Sequence, residues 1–585
     1  MPTLHWIGKE KVVSHHQDVP YRVLEHKYGF TADKGEQPEP TNSGNKIIHG
    51  DNLEALKSLL PEYEGKIDCI YIDPPYNTGK EKWRYSDNVN HPKIAKWLDE
   101  TVGMEGEDLS RHDKWLCMMY PRVKLLHKLL KDDGVFFCSI DDYEHGNLKP
   151  MLDEIFGPLN FMSNVIWQRA YSPVNTKKRF SNNHDFIVSY AKNKSLVNLL
   201  LPRTEDANDR YANPDNDPRG IWKSSDLSVA PVIEDKLYKI TTPSGRDVYP
   251  PQGRCWVLTE DRYKEFLSDN RIWFGENGEA VPSVKKFLSE VKDGMTPMTV
   301  WTYEEVGHTQ DAKKEIKEIF PKSKLPFETP KPTKLMEKIL SLKNNPNAII
   351  LDSFAGTAST AHAVLKLNAK DGGNRKFIMV EMEDYADSIT AERMKKVIKG
   401  YDFTGNKTSI LKSYSVNLTS LRKADEIIDE YSKAKEDEKY SEVKIESSNG
   451  NIVILGTEKI TKKVIGLDGE FDFYELDLPL FDENQNLNEQ VGLAKIREYI
   501  WFSETRTSFS EPNKEPYFLG KKDESAYYFI FEKDRLTTLD FDALELIKTK
   551  GEQYVIYADN CLLPKDFMAK KNIIFKKIPR DITRF

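Results

Sequence analysis

Much that directs a fold or an activity is scarce in this chain of 585 residues. Its five cysteines, Cys69, Cys117, Cys138, Cys255 and Cys561, lie far apart and form no CxxC pair, which argues against both a disulfide framework and a structural zinc site and fits a reducing compartment. No apolar run approaches the length that spans a bilayer, and the opening MPTLHWIGKEKVV lacks the apolar core of a signal peptide, so a soluble, cytoplasmic protein is expected. Internal repeats are missing, and so is a GxxxxGK[ST] loop, which excludes ATP hydrolysis by that route. There is no basic excess either. With a net charge of −8 the chain does not advertise a phosphate-binding surface, although a basic cleft can sit on an acidic molecule.

What is present describes a folded protein: 39% hydrophobic and 30% charged residues, with 27 Tyr, 27 Phe and 10 Trp. The length exceeds what one core organises, and about three domains are expected from it. Residues 1–44 mix charge with Gly and Pro and read as an arm with little regular structure. From Lys46, short apolar runs alternate with helical patterns: a strand at 46–49, a helix from Asn52 to Leu60, a strand from Ile67 to Ile72, a helix spanning Trp115 to Leu130, and a buried strand from Val135 to Ile140. This is α/β grammar. Asn164–Arg169 and Asp185–Tyr190 read as an antiparallel hairpin at the sheet edge. Between Asn193 and Phe327 the alternation dissolves into Pro-, Gly- and aromatic-rich text, as in an inserted domain. It resumes with a helix from Pro332 to Leu342 and strands at Ile349–Asp352 and Phe377–Glu381. Beyond about Gly405, a Lys/Glu-rich helix (423–440) leads into a separate α/β region with strands near Ile452, Phe473, Tyr527 and Tyr554.

The strand ending at Ile72 runs directly into Asp73-Pro74-Pro75-Tyr76. Two prolines fix the backbone and remove two N–H donors, which makes the turn rigid and rich in acceptors. An adenine N6 amine is a poor nucleophile because its lone pair is delocalised into the ring. The Asp73 carboxylate and the Pro74 carbonyl can each accept one of its N–H bonds and aim the lone pair at an electrophilic methyl group, catalysis by positioning and electrostatics. Tyr76 can stack on the base, which must first leave its duplex. The alternative is a plain strand-terminating turn.

A second site follows Asp352, where Ser353-Phe354-Ala355-Gly356-Thr357-Ala358 leads from strand to helix. Small residues there let a ligand approach the backbone at the carboxyl end of a strand. Glu381 lies 25 positions after Gly356, near the spacing at which an acid holds ribose hydroxyls. Tight helix–strand packing explains such a turn equally well until the acid is added.

Asp73-Pro74-Pro75-Tyr76 resembles the catalytic motif of the amino-methyltransferases that modify DNA, and Phe354-Ala355-Gly356-Thr357-Ala358 resembles their FxGxG cofactor loop, with Ala358 where glycine is usual. Catalytic motif first and cofactor motif late, with a long insert between, is similar to the circularly permuted β class. Asp51 and Asn52 resemble the segment that contacts the cofactor's adenine, and Lys331-Pro332-Thr333 the motif opening the helix before FxGxG. From about residue 46 to 585, stretches such as IIHGDNLEAL, YIDPPYNTG, PPQGRCW and REYIWFSET are similar to modification subunits of type III restriction–modification systems.

The resemblance implies a Rossmann-like, mostly parallel methyltransferase sheet that binds S-adenosylmethionine, with Asp51, Asn52, Lys331, Asp352, Phe354–Ala358 and Glu381 around the cofactor and Asp73, Pro74, Pro75 and Tyr76 at the reacting centre. It implies an arm at 1–44, a catalytic half at 45–192, a target-recognition domain at 193–327, a cofactor half at 328–405 and a C-terminal domain at 406–585, with loop 170–183 around the flipped base. It further implies double-stranded DNA as substrate, a homodimer, and a separate helicase–nuclease restriction subunit as partner.

The rival readings are an N4-cytosine methyltransferase, disfavoured by Asp rather than Ser at 73, an inactive DNA-binding scaffold, and a fused nuclease, for which the scattered Glu and Lys around 442–444 offer no acid pair. Lys177-Lys178-Arg179, and within the insert Lys285-Lys286, read as ordinary surface or phosphate contacts, and the insert's Trp222, Trp256, Trp273 and Trp301 as a local core. His362 reads as packing.

Overall fold

The computed structural model describes residues 3–78, 111–173, 178–203, 208–291, 294–321, 330–415, 424–448 and 451–582, apart from 483, 485, 489, 508, 513–514 and 580. The chain forms two compact units, one of residues 198–297 with 341–344 and one of everything else.

The larger unit is organised by an eleven-stranded sheet. Its strands in chain order are β1 (Arg22–Thr31), β2 (Gly35–Gln37), β3 (Lys46–His49), β4 (Ile67–Ile72), β5 (Leu130–Ile140), β6 (Phe161–Gln168), β7 (His184–Ala191), β8 (Val300–Trp301), β9 (Ile349–Asp352), β10 (Lys376–Glu381) and β11 (Glu470–Pro479). They lie in the order β8-β6-β7-β5-β4-β9-β10-β3-β11-β1-β2. From β5 through β11 every pairing is parallel, and antiparallel pairs occur toward both margins: β7 with β5 and β6, and β1 with β11 and β2. All six residues of β4 are buried, the continuous apolar pattern of a strand covered on both faces.

Seven helices matter to the site: α1 (Asn52–Tyr63), α2 (Arg111–Leu129), α3 (His145–Phe156), α4 (Thr309–Ile319), α5 (Thr333–Ser341), α6 (Ser359–Asp371) and α7 (Glu392–Lys399). Asp51 starts α1 by accepting from the N–H groups of Leu53 (2.8 Å) and Glu54 (3.2 Å), as an N-cap should. α6 starts from Ala358 and stops at Gly372, both left-handed.

Several expectations are corrected. The arm is not irregular: ten of its residues form β1, whose partner β11 lies more than 430 positions away in sequence, a pairing that no local pattern announces. For the same reason Phe473 belongs to the main sheet and not to a separate C-terminal sheet. The remaining C-terminal strands form a three-stranded sheet (400–415, 442–448, 451–465), a four-stranded one (518–522, 525–529, 553–558, 573–577) and a two-stranded one (538–539, 560–561). Trp301, expected in the core of the insert, is fully buried in β8, paired with β6.

In the smaller unit, Leu227, Ile240, Val248, Trp256, Tyr263, Ile272 and Phe274 make the core, and Trp222 meets Trp273 edge-on at 5.2 Å. Lys285 is neither surface nor a phosphate ligand: it is buried between Asp215 and Asp217 (3.2 Å to the latter). Lys177 lies outside the described residues, as does part of loop 170–183.

Candidate active site

β4 and β9 are adjacent and parallel, with Cys69 opposite Ile350 and Ile70 opposite Leu351. Asp73 and Phe354 therefore leave neighbouring strands at the same carboxyl edge. This is the place in an open α/β sheet where ligands bind.

The turn after β4 is tied down from behind. The buried indole of Trp115, on α2, donates to the Pro75 carbonyl at 2.7 Å, whereas among the described residues nothing donates to that of Pro74. Asn77, at φ 58, donates its amide to the Arg111 carbonyl (3.0 Å) and to Glu144. The Glu144 carboxylate is fully buried and also meets His112 Nδ1 at 2.7 Å and the Asn147 amide at 2.8 Å. The half-buried Tyr76 has a hydroxyl with no hydrogen-bond partner among the described residues. Burial, and then the charge of Asp73, push this phenol well above its ordinary range.

In front of the turn stands Lys331, which the sequence placed beside the cofactor. Its ammonium donates to both Asp73 oxygens, at 2.7 and 2.6 Å, with side-chain exposures of 7% for Lys331 and 23% for Asp73. It also lies 5.0 Å from the centre of the Tyr76 ring and 5.8 Å from that of Trp167. A further carboxylate, Asp185 on β7, is buried and sits 2.8 Å from Arg169 Nε. Burial pushes it up to about 6, against the charges of Arg169 and Lys331.

The loop after β9 is held by its own strand ends. Asp352 accepts from the Phe354 N–H (3.0 Å) and the Thr360 hydroxyl (2.7 Å), and burial pushes it up to about 7. Glu381, at the end of β10, accepts from the N–H groups of Gly356 (2.7 Å) and Glu383 (3.0 Å), and burial pushes it up to about 8. Ala355 donates to the Val380 carbonyl at 3.1 Å, and Phe354 and Gly356 stay half-exposed. Ala358 takes φ 58, the conformation a glycine would adopt freely, and its methyl is 0% exposed. The side chain is thus accommodated inside the protein and does not project into the space above the loop. Asp51 and Asn52 lie beneath: Asn52 donates to the Ser353 carbonyl (3.2 Å) and accepts from Arg122 Nε (2.5 Å), while Asp51 Oδ2 lies 3.4 Å from the same guanidinium. Both ends of the Asn52 amide are therefore occupied by protein.

Several supports were not singled out from sequence. Arg393, fully buried on α7, donates to the Thr357 carbonyl (3.0 Å), the hydroxyls of Thr357 (3.1 Å), Ser359 (3.1 Å) and Thr333 (3.2 Å), and His362 Nδ1 (3.0 Å). His362 is packed as expected, and burial, with the Arg393 charge second, keeps it neutral and able to accept. Thr390 donates to the Gly356 carbonyl at 2.6 Å. The available signal was an arginine inside an apolar helical stripe: Arg393 shares its face with Met394, Val397 and Ile398, and Arg122 is likewise enclosed by leucines and methionines. A buried guanidinium must have several acceptors.

A family model described as DNA methylase, of the N6/N4 methyltransferase type, matches residues 67–392. The type III restriction-modification enzyme StyLTI Mod subunit of Salmonella typhimurium is 37% identical over 365 residues, which cover 60% of this chain and 54% of that one. The EcoPI Mod subunit of Escherichia phage P1 is 30% identical over 463 residues, covering 68% of each. The EcoP15I Mod subunit of Escherichia coli is 28% identical over 455 residues, covering 68% and 67%. The chain thus spans about half to two thirds of the length of these relatives.

Proposed function

The chain belongs to the DNA methylase family, and from that premise we propose that it transfers a methyl group to N6 of an adenine in double-stranded DNA, as the modification subunit of a type III restriction–modification enzyme. The observation that carries this reading is the juxtaposition of Asp73-Pro74-Pro75-Tyr76 and Phe354–Ala358 at the ends of two adjacent parallel strands. S-adenosylmethionine, when bound, supplies an electrophilic methyl group on a sulfonium centre.

The residues around the loop fit that cofactor. Half-exposed Phe354 and Gly356 offer an open face, the Ala358 methyl is turned inward, and Glu381 is a strand-end carboxylate suited to ribose hydroxyls. The Asp73 carboxylate and the Pro74 carbonyl each accept one N–H of the target amine, which directs its lone pair outward toward the loop. Tyr76 stacks on the base, a contact worth about 1–3 kcal/mol, and the base must be extruded from the duplex to reach it. Asp at 73 carries the assignment to adenine over cytosine.

In the same reading, the unit centred on 198–297 recognises the target sequence, two copies of the chain associate, and a restriction subunit joins them in the cytoplasm. Among the described residues no helix is long and apolar enough to cross a membrane. Sequencing DNA from cells expressing the protein, with detection of modified bases, tests the reading: N6-methyladenine at one short asymmetric sequence is expected. Absence of the mark, or its persistence with Asp73→Ala, refutes it.

A further inference from the structure

The ammonium of Lys331 makes two contacts at once. It donates to both oxygens of Asp73, and it lies 5.0 Å from the centre of the Tyr76 ring, inside the range of about 6 Å over which a ring attracts a cation. A nitrogen donor on Asp73 and against Tyr76 is what the target amine itself has to become. We propose that Lys331 is a positioning residue that holds the place of the target amine: in the DNA-free protein its ammonium occupies the Asp73–Tyr76 position, and an entering adenine amino group displaces it. The proposal rests on the function proposed above.

Displacement needs a fixed root, a mobile head and somewhere to go. The Lys331 carbonyl accepts from the buried Ser359 hydroxyl at 2.9 Å, which pins the backbone, whereas the four-carbon stem has freely rotating bonds. Asp185 supplies the second station. It is buried, Arg169 is its ion-pair partner, and the charges of both Lys331 and Asp73 act on it. An ammonium that leaves Asp73 for Asp185 frees both Asp73 oxygens for the amine without becoming an unpaired buried charge, whose cost would otherwise forbid the move. Only a group that can replace the donors on Asp73 and also lie against Tyr76 exchanges with Lys331, so the contact selects for an aromatic amine.

The test begins with methyl transfer from labelled S-adenosylmethionine to DNA by the wild-type protein, followed by mapping of the modified adenine and replacement of the base next to it with 2-aminopurine, whose fluorescence rises when the extruded adenine no longer stacks on it. If the wild type transfers no methyl group, the proposed function fails and this inference fails with it. If it does, Lys331→Met is expected to raise the extruded fraction and tighten DNA binding about tenfold, the change expected from one charge-assisted hydrogen bond, and to lower KM for DNA whatever happens to kcat. Lys331→Arg, which keeps the charge and the fold but holds Asp73 with a fork, is expected to do the opposite. Weaker or unchanged extrusion with Lys331→Met, or wild-type extrusion with Lys331→Arg, overturns the inference and makes Lys331 a plain support for Asp73.

Discussion

Replacing Arg393 with methionine tests whether the loop after β9 owes its shape to the guanidinium beneath it. The side chain is fully buried and donates to five acceptors between 3.0 and 3.2 Å, two of them on Thr357 and one on Ser359, with Glu315 at 3.6 Å as the nearest counter-charge. Methionine fills most of the volume but leaves the Thr357 carbonyl without its donor and Glu315 without its cation. Removing one partner of a buried ionic network costs about 3–5 kcal/mol, and hydrogen bonds to a charged group contribute about 1.5–3 kcal/mol each, so a loss of several kcal/mol in unfolding free energy is expected. If about 1.4 kcal/mol of that falls on loop geometry, affinity for S-adenosylmethionine drops tenfold. Calorimetric titration of the cofactor beside chemical denaturation of the same sample reads both quantities. Lysine should not rescue, because a point charge cannot span acceptors arranged for a fork. Wild-type cofactor affinity in Arg393→Met, or full rescue by Arg393→Lys, would refute the reasoning.

Three other outcomes are expected. Asp73→Ala should lower kcat by about 10²–10³-fold, the usual effect of deleting one positioned charge-stabilising group, while cofactor binding in a filter or calorimetric assay stays within twofold or so of wild type. Lys285→Met should take the buried cation away from Asp215, while Arg219 still pairs with Asp217 at 2.8 Å, and destabilise the 198–297 unit by about 1.5–3 kcal/mol, the contribution of a hydrogen bond to a charged group, visible as a new low-temperature transition in scanning calorimetry with cofactor affinity retained; a single unshifted transition would contradict it. Asp352 and Glu381 are raised to about 7 and about 8 by burial, so the folded protein binds more protons than the unfolded chain between roughly pH 4 and 8. The stability that their protonation contributes is complete below the unfolded values and is lost as pH rises through 7 to 8. The melting temperature should therefore fall from pH 6 to pH 9, and Glu381→Gln should flatten that slope.

Elements whose signal is local could be read from the sequence. The apolar run of β4, the alternation around β9 and β10, and the two short motifs announce themselves because strand burial and turn chemistry are written within a few residues. Contacts between distant segments could not be read in this way. Lys331 and Asp73 are 258 positions apart, so the sequence associates Lys331 with the nearer motif, and a lysine one residue before Pro332 gives no hint of which carboxylate it meets. The apolar stripes around Arg393 and Arg122 signal that each side chain is buried, but a one-dimensional pattern does not reveal how many acceptors surround it. Ala358 looked like a defect in a glycine motif. The structure shows the residue in the glycine conformation with its methyl buried, a strain that the tight turn imposes and that the surrounding contacts sustain.

The pairing of β1 with β11 sets a schedule for making the protein. β11 lies between β3 and β1, so until it exists β3 has a bare edge and β1 has no sheet to join. Residue 470 follows residue 31 by 439 positions, and at roughly 5–20 residues per second that interval is on the order of 20–90 seconds of synthesis. The nascent chain must carry throughout a ten-residue strand paired only with the short β2, through Gly29–Thr31, with the hazard of edge-to-edge association that its bare side brings. Final closure of the sheet is consequently a late event, and a ribosome that stalls before β11 releases a chain whose two motifs are already made but whose sheet is open on the side of β3.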